Sequence, residues 1–139
     1  MSVSLLLHLL ALGVWIGVVG AEFAIEFHGM RDKESLRTAA ELHYKTDLWI
    51  EVPAIAVVLV SGLLMLGEIQ PGAILWTKIA FALLAIAFNV VCVYAVWKRR
   101  VSLRAADAAG LARANRAMKI SAAVIPTFLV AFALAIYLA

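Results

Sequence analysis

Four long apolar runs separated by short polar breaks set the plan of the chain. The first runs from about Val3 to Phe27, the second from about Asp47 to Leu66, the third from about Ala73 to Trp97, and the fourth from about Met118 to Leu138. A helix needs ~20 mostly apolar residues to cross a hydrocarbon core ~30 Å thick, and each run is that long. Residues 28–46 are polar and basic, and helix formers dominate after Ser35, so this stretch reads as a helical lead-in to the second span. Gly67-Glu68-Ile69-Gln70-Pro71-Gly72 is a short turn. Lys98-Arg99-Arg100 stops the third run, and residues 101–117 form an Ala- and Arg-rich connector. Pro126 removes a helix hydrogen bond near the middle of the fourth run and predicts a kink, with Thr127 beside it to satisfy the freed carbonyl. The expected fold is an all-α integral membrane protein, a four-transmembrane-helix bundle forming a single domain over 1–139. Its helices are expected at about 3–27, 35–66, 73–100 and 105–138.

Composition agrees and narrows the class. Hydrophobic residues make up 65% of the chain and charged residues 15%, against about half and about a quarter in soluble domains. Four spans use most of the 139 residues, so no second, soluble domain fits. The net charge of +3 would suit nucleic acid, but the basic residues gather at the membrane edges, so no nucleic-acid partner is expected. The 28–46 loop holds four and the 98–119 segment seven of the twelve Lys and Arg. Positive-inside then places both loops in the cytoplasm and both termini outside. Trp76 and Tyr137 fall at the outer interface, Trp49 and Trp97 at the inner one. The first run lacks a basic leader and is too long for a signal peptide. The expected location is multi-pass in a bacterial inner (plasma) membrane, with the lipid bilayer as the main partner. The single Cys92 lies in mid-span and forms no intrachain disulfide. Gly13, Gly17 and Gly20, and Ala82 and Ala85, give small-residue faces where another helix can come close, compatible with a homodimer.

Ionisable groups inside a span are costly and point to function. At the helical period of 3.6, His8, Trp15, Glu22 and Glu26 share one stripe of the first span. His43, Asp47 and Glu51 are spaced four and four on the second, with Val58, Gly62 and Met65 continuing outward. Lys78 and Asn89 share a face of the third. Counting back from the cytoplasmic loop puts Glu26 near His43 or Asp47, and Glu22 near Asp47 or Glu51. The inner half of the membrane thus gathers Glu22, Glu26, His43, Asp47 and Glu51, while His8, Met65 and Lys78 collect near the outer end.

Four carboxylates do not stay bare in a low dielectric. Protons or a cation must neutralise them. Carboxylates with an imidazole suit Mn, Fe or Zn, and facing helices of bundles build such sites. The competing reading is a wet interface where these groups pair with Arg31, Lys45 or Lys119. In the outer group, His8 suits a heme or metal ligand, Met65 a second soft ligand, and Lys78 an anion such as a propionate. The alternative is that Lys78 snorkels or pairs with Glu68 and that His8 caps a wet interface.

Several motifs together resemble the HemJ-type protoporphyrinogen oxidase family of small four-helix membrane proteins. They are the His8-to-Gly17 segment with Trp15, Val52-Pro53-Ala54 followed by Ser61-Gly62-Leu63-Leu64-Met65, Trp76-Thr77-Lys78, and Ile125-Pro126-Thr127. The resemblance runs nearly end to end. It implies a membrane oxidoreductase binding heme b, with His8 as axial ligand, a role for Lys78, and an electron-transfer partner. The chain departs from the family at three places. Gly20-Ala21-Glu22-Phe23 stands where the family carries an Arg, Phe88-Asn89 where it carries Tyr-His, and Ala122-Ala123-Val124-Ile125 where it carries Asn-Glu before the Pro. The acidic cluster lies outside the family pattern. The allied CopD-type copper-resistance membrane proteins share a similar His-rich helical plan.

Overall fold

The computed structural model describes residues 2–68, 70 and 72–138. All of its regular structure is helical, in the order α1 (Val3–Gly29), α2 (Lys33–Thr46), a π-helical turn (Asp47–Glu51), α3 (Val52–Met65), a 3-10 turn (Leu66–Glu68), α4 (Ala73–Arg104), α5 (Ala108–Ser121) and α6 (Val124–Tyr137). Among the described residues, four helical stretches are long and apolar enough to cross a membrane: Val3–Gly29, Lys33–Met65, Ala73–Arg104 and Ala108–Tyr137. The chain is an all-α, multi-pass membrane protein. Its burial pattern fits lipid as the solvent: the enclosed apolar positions are mostly small, such as Ala11, Ala39, Ala54, Ala85 and Ala131. Large side chains such as Leu10, Val60, Leu64 and Leu129 point outward. In water such a surface would be a large association patch. In a bilayer it is the expected outside.

The chain divides into two compact units, Met1–Ile69 and Gln70–Ala139. In the first, α1 packs against α2 and α3, which continue one another through the π turn. Ser2 caps α1, its hydroxyl accepting from the Leu5 N–H at 3.2 Å. The corner after α1 is tight, since a Cβ on Gly29 would lie 2.6 Å from the Ala39 Cβ. Only glycine lets α2 fold back so closely. Asp32 then caps α2, accepting from the Ser35 N–H at 2.8 Å and the Ser35 hydroxyl at 3.1 Å. These bonds, the backbone one first, hold the Asp32 carboxyl below its ordinary pKa.

The π turn has a local cause. A proline in a continuing helix loses its N–H bond and drives its ring against the carbonyl four residues back, here Trp49. Widening the turn before Pro53 carries that carbonyl aside, and the Val52 N–H bonds instead to Asp47 O. The helix thereby passes Pro53 without ending.

In the second unit, α4 packs against α5 and α6. Here the structure corrects two expectations. The Lys98-Arg99-Arg100 run does not stop α4, which continues to Arg104. The connector is helical, as the expected 105–138 helix has it, apart from a turn at Ala105–Asp107, where Ala106 takes φ 52° and the Asp107 N–H bonds back to Ser102 O at 2.9 Å. Asp107 then caps α5 by accepting from Gly110 N–H at 2.9 Å. The Pro126 kink is instead a helix break upstream, at Ala122-Ala123. Pro126 thus sits in the first turn of α6, where its missing N–H is not needed. The Ala122 carbonyl is taken by the Ile125 N–H at 3.2 Å, and the Thr127 hydroxyl turns to Ala123 O and Val124 O. Within the predicted 67–72 turn, Ile69 and Pro71 lie outside the described residues.

Candidate metal centre

The acidic stripe of α1 and the His-Asp-Glu stripe of the second span meet inside the first unit. His43 is the hub. Its Nδ1 lies 2.5 Å from Glu26 Oε1, while its Nε2 lies 3.5 Å from Glu22 Oε2 and 3.6 Å from Asp47 Oδ1. One ligand atom from each of Glu22, His43 and Asp47 falls within 4.8 Å of the others. Glu51 stands one turn further along, close enough for its charge to act on Asp47, His43 and Glu22, with the Trp15 indole beside it. The helix explains the meeting: positions 43, 47 and 51 recur every four residues, as do 22 and 26. The π turn contains both Asp47 and Glu51, a placement typical of π turns at functional sites.

The wet-interface expectation does not describe this group. Glu22, His43, Asp47 and Glu51 are all buried, and Asp47 and Glu51 are 0% exposed. Arg31 and Lys45, the expected partners in the first unit, are exposed. Among the described residues, Glu22 Oε1, both oxygens of Asp47 and both oxygens of Glu51 are enclosed without a well-formed hydrogen bond. Native proteins rarely leave buried acceptors in that condition, because each costs on the order of 1–3 kcal/mol and more when charged.

The spacing of the three ligand atoms is one an ion could fill. Contacts of 3.5 and 3.6 Å exceed the N–H···O range of about 2.7–3.2 Å. A tetrahedral ion with bonds of ~2.1 Å keeps its ligands ~3.4 Å apart, close to both values. The Glu26 contact completes a familiar arrangement, in which a carboxylate on one imidazole nitrogen orients the other toward a metal. With Nδ1 turned to the Glu26 carboxylate, Nε2 faces Glu22 and Asp47 and is the nitrogen a metal would take.

The outer group is only partly assembled in one unit. His8 lies against α3, with its Nδ1 3.1 Å from Val58 O and 3.0 Å from Ser61 Oγ. Gly62 makes room for the ring, since a Cβ there would sit 3.4 Å from His8 Cε1. The Ser61 hydroxyl donates to Val57 O at 2.5 Å, so toward His8 its oxygen can only accept. Both neighbours of His8 Nδ1 are therefore acceptors, and the network assigns the proton to Nδ1. Met65 is half-buried one turn beyond Ser61, and Lys78 is half-buried in the second turn of α4, in the other unit. Gly13, Gly17 and Gly20 face open space: a Cβ there would meet nothing within 4 Å.

Two features escaped the sequence reading. The Ser61 hydroxyl, which with Val58 O surrounds His8 Nδ1, carries no signal in the sequence beyond its place in the Ser61–Met65 motif. Arg99, read as a stop signal, is 2% exposed, whereas its neighbour Lys98 lies outside with its ammonium 4.7 Å from the Trp97 ring centre. No family model, curated protein or solved structure matches the chain.

Proposed function

We propose that this membrane protein binds a divalent transition-metal ion within its first helical unit, through Glu22, His43 and Asp47. The carrying observation is the His43 Nε2 placed 3.5 and 3.6 Å from two buried carboxylate oxygens, beside carboxylate atoms that lack well-formed hydrogen bonds. A 2+ ion supplies the counter-charge that buried carboxylates require. One imidazole with hard oxygen ligands selects Mn, Fe or Zn over the soft copper(I) ion. Glu51 is the nearest source of a further ligand, and Glu26 orients the imidazole. The test is elemental analysis and titration of purified protein with Mn2+ and Zn2+. One ion per chain is expected, with at least a tenfold loss of affinity in Glu22→Gln and in His43→Ala. Unchanged metal content in both variants would overturn the assignment.

One observation favours a second reading, a HemJ-like heme-binding redox protein. With the proton on Nδ1, His8 keeps its lone pair on Nε2, the posture of an axial ligand held by a backbone carbonyl. The His8 and Ser61-Gly62 motifs that carry the family resemblance meet at this contact. The absorption spectrum after heme-sufficient expression tests it. A Soret band that shifts or disappears in His8→Ala is expected, and no Soret band in the wild-type protein sinks the heme reading.

A further inference from the structure

The polar groups of the first unit form a graded series. The side chain of Glu26 is 26% exposed, that of Glu22 8%, that of Asp47 1%, and Glu51 is fully buried. The grading follows depth along both helices. Glu26 lies in the last turn of α1 beside the Met30–Asp32 corner, while Glu51 lies two turns past His43. Beyond Glu51 the enclosed positions turn apolar: Trp15 beside it, then Ala11, Ile55 and Val58. The next polar pair, His8 with Ser61, is turned toward itself and the α3 backbone.

A resident structural ion needs one closed shell of ligands. Here the acceptors run on past that shell. Both oxygens of Glu51 are buried without a well-formed hydrogen bond among the described residues, one turn past Asp47. An ion held between Glu22, His43 and Asp47 would therefore find a further anionic position ahead of it and a half-exposed carboxylate behind it.

We infer that the cation reaches this site from one face of the membrane only, entering past Glu26 at the α1–α2 corner and stopping at Glu51, where Trp15 and the apolar layer close the way. This rests on the metal-binding reading of Glu22, His43 and Asp47. The site is then a one-sided ion well, loaded and emptied from the face that carries residues 30–46, and the ion is exchangeable cargo.

Cysteine accessibility in sealed membrane vesicles tests this. On a Cys92→Ser background, Glu26→Cys and Glu51→Cys are each exposed to a membrane-impermeant methanethiosulfonate reagent from one face and then the other. Lys33→Cys, an exposed position at the start of α2, identifies the corner face. Both test positions are expected to react from that face alone, Glu26→Cys at least about tenfold faster than Glu51→Cys, with Mn2+ slowing Glu51→Cys. Reaction of Glu51→Cys from the opposite face, from both faces or from neither overturns the one-sided route. If Glu51→Cys fails to fold, Asp47→Cys takes its place and is read for sidedness alone, with Mn2+ uptake by the wild-type protein deciding the metal assignment. One-sided reaction without Mn2+ protection, together with no Mn2+ uptake by the wild-type protein, overturns the metal assignment on which the route depends. Two-sided reaction with Mn2+ protection overturns the route alone.

Discussion

Replacing Glu26 by Gln tests the centre through a residue that need not touch the ion. The change keeps the side-chain shape and removes one negative charge. Glu26 Oε1 sits 2.5 Å from His43 Nδ1. Adding the width of the ring and a metal–nitrogen bond of ~2.1 Å places the ion about 6–7 Å from that oxygen. A charge of −1 at that distance from a 2+ ion is worth about 1 kcal/mol at a water-like dielectric and about 5 kcal/mol at an effective dielectric of ~20. The Glu26 side chain is 26% exposed, which favours the lower part of that range. Losses on removing such supporting carboxylates run about 10–100-fold in metal affinity, or about 1.4–2.7 kcal/mol. The expected outcome for Glu26→Gln is therefore a 10–100-fold rise in the Mn2+ or Zn2+ dissociation constant, measured by competitive titration in detergent or nanodiscs. Glu34→Gln removes the same charge at an exposed position in the first turn of α2 and should leave affinity within about twofold. An affinity within twofold of wild type for Glu26→Gln, or an equal loss in both variants, would refute the reasoning. The first result would mean that the imidazole needs no carboxylate, and the second that only net charge matters.

Further outcomes follow from the geometry. Gly29→Ala forces a Cβ to 2.6 Å from Ala39 and should cost about 1–3 kcal/mol by overpacking, with weaker metal binding. Gly17→Ala meets open space and should be neutral or gain up to ~1 kcal/mol from helix propensity. Denaturant titration compares the two. Ala106 holds φ 52° at the α4–α5 turn, so Ala106→Gly should raise stability by about 1 kcal/mol, seen as a higher unfolding midpoint. Pro53→Ala removes the cause of the π turn, so metal affinity should fall while circular dichroism reports unchanged helix content. Asp32 has a lowered folded pKa, so its cap is fully present above the ordinary carboxylate range and is lost as pH falls through the lowered value. The protection factors of the Ser35 and Leu36 amides, taken against the intrinsic rate at each pH, should fall there, and Asp32→Ala should show low protection at every pH.

The fold was largely legible because lipid imposes a coarse rule. Every backbone group must be satisfied within a helix, and ~20 apolar residues must cover its length. The misreadings are local and share a cause, which is that sequence marks a disturbance at one residue while the backbone expresses it at another. Pro126 carries the missing donor, but the acceptor it deprives is Ala122, so the break appears at Ala122-Ala123. Pro53 carries the same defect, yet there the chain widens into a π turn around Asp47–Glu51 and continues. Charge misled in a similar way at Lys98-Arg99-Arg100. Ala, Arg and Leu are strong helix formers, and α4 continues through that run until the Ala105–Asp107 turn ends it.

The buried Glu-His-Asp cluster was legible for a different reason. Its residues lie four apart on two helices joined by a short corner, and a spacing of four on antiparallel helices fixes both face and depth. That argument places Glu26 beside His43 or Asp47 and Glu22 beside Asp47 or Glu51; the structure adds the contact between Glu22 and His43. The spacing does not say whether the group is dry. Dryness depends on Gly29 letting α2 close on α1 and on Trp15 lying beside Glu51, and neither appears in the spacing of charged residues. Nor does it say that Asp47 and Glu51 share a π turn. The step from a stripe of charges to a candidate ion site therefore rests on residues without charge: a glycine at the corner, a proline two residues past Glu51, and a tryptophan at the closed end. Substituting those three, while leaving every carboxylate in place, should abolish tight metal binding. A site built from ligand spacing alone would survive them.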